Sequence, residues 1–155
     1  MKLEIKHLAP YLPYGLRIEH PTMMSGNRKI SEMRNLGHTS IEISHRIYVQ
    51  ISSCKPLLRP MSDLTKEIEI DGKKFVPIVK LAKIAYPDLV WEFDRTRAIS
   101  EWNSKRAYFF FNKNSFFACF FNNSIPNQLV LFQKLFEWHF DVFGLIDQGL
   151  ALPLI

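Results

Sequence analysis

The chain has 155 residues, 47% of them hydrophobic and 23% charged, with two cysteines and a formal net charge of +5. That balance excludes a disordered, collagen-like or coiled-coil protein and a disulfide-built scaffold. A chain of this length buries roughly 70% of the surface its unfolded form exposes, so it needs neither a disulfide nor a metal to fold.

Cys54 and Cys119 lack metal-type spacing and read as free thiols in a reducing compartment. Met1-Lys2-Leu3-Glu4-Ile5-Lys6 puts charges where a secretory signal carries its apolar run, and no stretch approaches the roughly 20 apolar residues of a membrane span. A cytoplasmic protein with no membrane partner is expected. The positive charge is uneven: residues 1–60 hold nine Lys and Arg against four acids, and residues 61–155 hold eleven of each. A basic half can attract phosphate backbones, although these charges form no cluster of the basic-arm kind.

In chain order, Leu3, Ile5 and Leu8 suggest a short helical or irregular lead-in, and Pro10, Pro13 and Gly15 force a turn. Leu16 and Ile18 alternate with Arg17 and Glu19 in a short strand closed by His20-Pro21. Residues 22–29 read as a loop and 30–36 as a second strand. From 41 to 51 the period is two: Ile41, Ile43, Ile47, Val49 and Ile51 take one side, and Glu42, Ser44, Arg46, Tyr48 and Gln50 the other. This predicts one strand with a dry and a wet face, hence an antiparallel sheet, and His45 would enter the dry face as a hydrogen-bonded core histidine.

Pro56 and Pro60 interrupt the next stretch, and Ser62 with Asp63 suits a short capped helix. Asp71-Gly72 between 67–70 and 73–76 is a strong hairpin signal. Pro77 then opens a helix whose Ile78, Leu81, Ala82 and Ala85 share a face, ended by Tyr86-Pro87. Eleven of the 13 phenylalanines lie between residues 109 and 143, which predicts a core concentrated there. Tyr108–Phe111 and Phe116–Phe121 are apolar on both faces and read as a hairpin of central strands. Asn122 or Ser124 caps a long helix over 127–142, with Pro126 near its first turn, and its narrow polar strip demands packing on most of its circumference. Together these predict an α+β fold over residues 1–155: a single domain, a mainly antiparallel sheet and a long C-terminal helix packed on one face.

Three stretches carry a resemblance: Leu8-Ala9-Pro10-Tyr11-Leu12-Pro13-Tyr14-Gly15-Leu16, Lys55-Pro56-Leu57-Leu58-Arg59-Pro60-Met61-Ser62-Asp63-Leu64-Thr65-Lys66-Glu67-Ile68, and Glu137-Trp138-His139-Phe140-Asp141-Val142-Phe143-Gly144-Leu145-Ile146. They cover about a third of the chain, and in order and wording they resemble small uncharacterised proteins of phages and prophages of Bacteroidetes. The resemblance implies a phage-related accessory protein acting inside a bacterial cell. That family has no assigned activity, so no catalytic or binding residue carries over. Each stretch is also explicable as turn, cap and core chemistry without a ligand.

Catalytic and metal motifs are weak. His7, His20, His38, His45 and His139 form no i, i+4 pair and adjoin no cysteine, and the six glycines form no phosphate loop. Glu137, His139 and Asp141 invite an acid-base reading, but residues two apart on a helix do not face each other. Asp88, Glu92 and Asp94 read as a solvated acidic loop rather than a cation site. Aromatics beside Lys105, Arg106 and Lys113 suggest a stacking platform, yet Phe109-Phe110-Phe111 cannot all face solvent. No catalytic residue, metal or cofactor is expected. The leading expectation is a non-enzymatic interaction module contacting a phage or host protein. The alternative is nucleic-acid binding through the basic residues 1–60, with Arg17 and Arg46 contacting phosphate and Tyr48 stacking.

Overall fold

The computed structural model describes residues 2–22, 26–102, 104–112, 114–119, 125 and 127–154. The expected cap at Asn122 or Ser124, Pro126, Phe120, Phe121 and the turn residue Lys113 lie outside them. The elements are α1 (Ile5–Leu8), β1 (Arg17–Pro21), β2 (Arg28–Glu32), β3 (Asn35–Leu36), β4 (Ser40–Ser44), β5 (Ile47–Gln50), β6 (Lys55–Leu58), β7 (Ile68–Ile70), β8 (Lys73–Phe75), α2 (Pro77–Ala85), β9 (Glu92–Asp94), β10 (Arg97–Trp102), β11 (Lys105–Asn112), β12 (Ser115–Cys119), α3 (Gln128–Glu137) and β13 (Leu152–Pro153). This is a mixed α+β chain whose strands pair antiparallel except β6 with β13. The strands form four small sheets in place of the one expected. The chain divides into two compact units, Met1–Pro60 with Leu135–Ile155, and Met61–Lys134.

In the first unit, α1 runs into a 3-10 segment, Ala9–Tyr14, that stops at Gly15. Gly15 has a φ of 64°, and a Cβ there would come 3.0 Å from a Glu32 carboxylate oxygen, so both backbone and neighbour call for glycine. One sheet has the order β13-β6-β1-β2, with β1 and β2 as a hairpin in the register Arg17↔Glu32 to Pro21↔Arg28. A second has the order β3-β4-β5.

The single strand expected over 41–51 is therefore a hairpin. It reverses at His45-Arg46, where Arg46 has a φ of 61° and its N–H donates to a Glu42 carboxylate oxygen at 3.4 Å. The pairing Ile41↔Val49 and Glu42↔Tyr48 joins odd with odd and even with even. Cross-strand partners share a face, so the hairpin keeps the alternation a single strand would show. Apart from a register shift between Glu42 and Ser44 the period passes through the turn, and no Asn-Gly or Asp-Gly marks it. His45 consequently sits exposed in the turn, not in a dry face.

Leu8, Tyr11, Leu16, Ile18, Met33, Ile41, Leu58 and Leu145 belong to the core of this unit, which draws mainly on residues 1–60 rather than on the phenylalanine-rich stretch. The buried Tyr11 hydroxyl donates to the Phe140 carbonyl at 2.6 Å, and its ring meets Phe136 edge-on at 5.0 Å.

Helix α3 has ten residues and stops at Glu137, short of the expected 142. His139 N–H donates to the Phe136 carbonyl (3.0 Å) and Phe140 N–H to the Leu135 carbonyl (2.8 Å), while His139 has a φ of 57°. This is the left-handed C-terminal stop that glycine usually provides. Here a histidine occupies it, held by Nε2 donating to the Tyr14 carbonyl at 2.9 Å and by its own carbonyl accepting from Arg59 N–H at 2.7 Å. The helix is also less enclosed than its composition suggests: Leu131 and Leu135 are buried, but Leu129 is 71% exposed.

The second unit opens with a 3-10 turn, Met61–Thr65, followed by the expected hairpin β7–β8. Asp71 and Gly72 have φ of 51° and 72°, both positive as a two-residue hairpin turn requires. Helix α2 buries Pro77, Ile78, Leu81, Ala82 and Ala85 as its period predicts. Strands β9 to β12 follow one another across a single sheet, so β12 is an edge rather than a central strand. The pairs Phe109↔Ala118 and Phe111↔Phe116 put Phe109 and Phe116 on the buried face. On the opposite face Phe110 stacks on Phe117, which is 41% exposed.

Candidate interaction groove

Of the three residues expected to contact nucleic acid, Arg17 stands on β1 directly across from Glu32, Arg46 lies in the β4–β5 turn and Tyr48 on β5, in a different sheet from Arg17. Tyr48 is exposed on β5, opposite Glu42, whose carboxylate also accepts the Arg46 N–H. A glutamate is thus the cross-strand partner of Arg17 and of Tyr48 and an acceptor for the Arg46 backbone, which works against phosphate. The charge balance changes as well. Residues 135–155 bring three acids and no Lys or Arg to the first unit, leaving nine basic against seven acidic residues there and eleven against eight in residues 61–134. The basic half of the sequence is not a basic half of the folded chain.

A groove of about 500 Å³ lies between the β1–β2 hairpin and the β4–β5 hairpin of the first unit. Ile43, Ile47 and Val49 make an apolar floor, and His20, Lys29 and Ser31 stand along the other wall. Alternation explains the division. His20 pairs with Lys29 and Ile18 with Ser31, so these four share the face of the β1–β2 hairpin that looks inward. Ile18 is fully buried, and His20 and Ser31 continue its row to the groove.

His20 is 4% exposed with both ring nitrogens engaged: Nδ1 with the Pro21 carbonyl at 3.0 Å and Nε2 with the Ser31 hydroxyl at 2.9 Å. A carbonyl only accepts, so Nδ1 donates to Pro21 while Nε2 meets the Ser31 hydroxyl. The Ser31 oxygen keeps a lone pair for an incoming donor. Lys29, by contrast, makes no ion pair among the described residues. Its neighbour Arg28 is committed to Glu19 and to the Ser53 carbonyl.

Several other titratable groups have structural partners. His7 Nδ1 accepts the Glu4 N–H at 3.1 Å, and burial holds its pKa below the usual 6.5. His139 is lowered chiefly by burial, with the Arg17 and Arg59 guanidiniums adding to the effect. The buried Asp141 carboxylate accepts the N–H groups of Leu145 and Ile146, both at 2.8 Å, and so closes the turn after α3. Glu137, His139 and Asp141 therefore have three separate tasks: a helix end, a helix stop and a turn cap. Burial pushes the Cys54 thiol up, away from the reactive thiolate. Asp94 pairs with Arg97 at 3.4 Å, and among the described residues no three His, Cys, Asp or Glu side chains are grouped to hold a metal. No helix of the described residues is long and apolar enough to cross a membrane.

Sequence reasoning missed the groove because Lys29 and Ser31 lie in a span divided between an expected loop and an expected strand, and because Ile47 was counted as core. Ile47 is 44% exposed, because it opens β5 beside the His45-Arg46 turn, where the register shifts between Glu42 and Ser44. Comparison with protein-family models, curated proteins and solved structures finds no match to this chain.

Proposed function

We propose that the chain is a non-enzymatic protein-interaction module, of the phage or prophage accessory type its sequence resembles, and that it engages a phage or host protein through the groove of the first unit. The observation that carries this reading is the groove itself: three β-branched side chains left open beside a polar wall. Singly exposed apolar residues need no explanation, whereas an apolar floor with a few converging polar groups is how recognition sites are built. The nucleic-acid alternative has less support, because Glu32 and Glu42 stand beside the residues meant to meet phosphate.

Affinity capture from the bacterial host, read by mass spectrometry, tests the proposal. The wild-type chain is expected to recover a reproducible protein partner that Ile47→Asp loses, with little change in thermal unfolding because Ile47 is already exposed. Loss of one apolar anchor costs about 1–3 kcal/mol of binding. The absence of any reproducible partner, or a partner that Ile47→Asp retains, overturns the reading.

A further inference from the structure

The backbone of β2 gives the groove a direction. This strand ends its sheet, so one side of it has no hydrogen-bonded strand among the described residues. The Thr22 N–H to Asn27 carbonyl bond and the Met33 N–H to Leu16 carbonyl bond, both 2.8 Å, mark which pairs of the hairpin exchange hydrogen bonds. These pairs alternate along an antiparallel ladder. Residues 27, 29, 31 and 33 therefore turn their N–H and C=O groups to β1, while Arg28, Ile30 and Glu32 turn theirs to the open edge. The side chains alternate too: Lys29 and Ser31 face the groove, and Ile30, 54% exposed, lies on the opposite face.

An open edge next to an apolar floor suits an extended peptide added as a further strand, with main-chain hydrogen bonds supplying affinity and alternate side chains supplying specificity. The charges choose the peptide. Lys29 is the groove's one unpaired cation among the described residues, since its neighbour Arg28 is neutralised by Glu19 and does not line the groove. A lysine on an exposed edge repels chance pairing with most strands and selects an acidic one. We infer that β2 accepts an extended segment of a partner protein that sets a carboxylate against Lys29 and, two residues along on the same face, a bulky aliphatic or aromatic side chain on the floor of Ile43, Ile47 and Val49.

This rests on the interaction reading above, and its test is separable from it. A ribosome-displayed library of random peptides is selected against the full chain, in parallel with Lys29→Glu. The wild type enriches acidic and apolar residues at alternate positions, and Lys29→Glu turns the acidic preference basic. With the selected peptide, the Lys29→Glu substitution weakens binding about tenfold. Because Lys29 is exposed, thermal unfolding stays within a few degrees. Methylating alternate backbone amides of the peptide abolishes binding in one register and spares it in the other, a signature of strand pairing that leaves the protein untouched. A helical consensus, indifference to amide methylation, or a consensus unchanged by Lys29→Glu overturns the inference. If affinity capture still yields a partner lost by Ile47→Asp in that case, the interaction reading stands without it.

Discussion

In residues 61–134 the chain pairs with its near neighbours: β9, β10, β11 and β12 lie across their sheet in sequence order, and β7 returns on β8 through two residues. In the first unit, β1 pairs with β6 and β6 with β13, and the Tyr11 hydroxyl reaches a carbonyl 129 residues further along. The two units also rely on different interactions. Phe109 packs with Phe116 and Trp91 at ring separations of 5.6 and 6.1 Å, an apolar cluster on local hairpins. The first unit adds hydrogen bonds that tie its two chain segments together: Tyr11 to the Phe140 carbonyl, Arg59 N–H to the His139 carbonyl at 2.7 Å, and Leu154 N–H to the Leu58 carbonyl at 2.7 Å. Local pairing closes short loops at small entropic cost, whereas distant pairing needs specific anchors to hold its ends.

The largest effect is expected from removing residues 138–155. The first unit then loses the β6–β13 pair, the Tyr11 acceptor and the Asp141 cap together, so hydrogen-exchange protection should disappear from β1, β4 and β6 while persisting in β10 and β11. Equal loss in both groups would erase the distinction between the units. Next comes Phe109→Ala, which should cost about 4 kcal/mol as a fully buried aromatic truncation. Denaturant unfolding followed by exchange should show the damage concentrated in β10–β12. Asp141→Ala leaves two N–H donors without their acceptor and should cost about 3 kcal/mol, with Asp141→Asn costing less because its amide oxygen still accepts. Chemical denaturation of both variants checks the order.

Acidification should have the smallest effect, acting on the first unit alone through His7 and His139. Both have folded-state pKa values lowered from 6.5, so the unfolded chain binds protons more readily and stability falls as pH drops below that value. In His7 the proton would land on the nitrogen that accepts the Glu4 N–H. Unfolding free energy measured at neutral and mildly acidic pH should decline, and the slope should shrink in a His7→Gln, His139→Gln double variant. A flat profile would show that the two rings are not held neutral.

How far the sequence was legible follows the same division. Asp71-Gly72, Pro77 with its apolar face, and Tyr86-Pro87 each carry their structural instruction within a few residues, and each element formed where those residues predict. The turn at His45-Arg46 and the helix stop at His139 carry no such mark. Both put a non-glycine residue at positive φ, in conformations held by partners distant in sequence or by register. Of the candidate site, Arg17, Arg46, Tyr48 and the nearby Glu42 were visible in the sequence, but not that Glu32 stands across from Arg17, because cross-strand neighbours depend on register.

By itself the sequence determined a mixed α+β chain, the hairpin at Asp71-Gly72, helix α2, and the burial of alternate residues along β1, since periodicity and turn chemistry act over a few residues. Only the tertiary structure decided that residues 135–155 join the N-terminal segment and lower its net charge from +5 to +2, that 41–51 fold back on themselves, and that Lys29, Ser31 and Ile47 meet across a groove. Those outcomes depend on which strands pair and in what register, and pairing is selected by the burial of whole faces against one another rather than by any short run of residues.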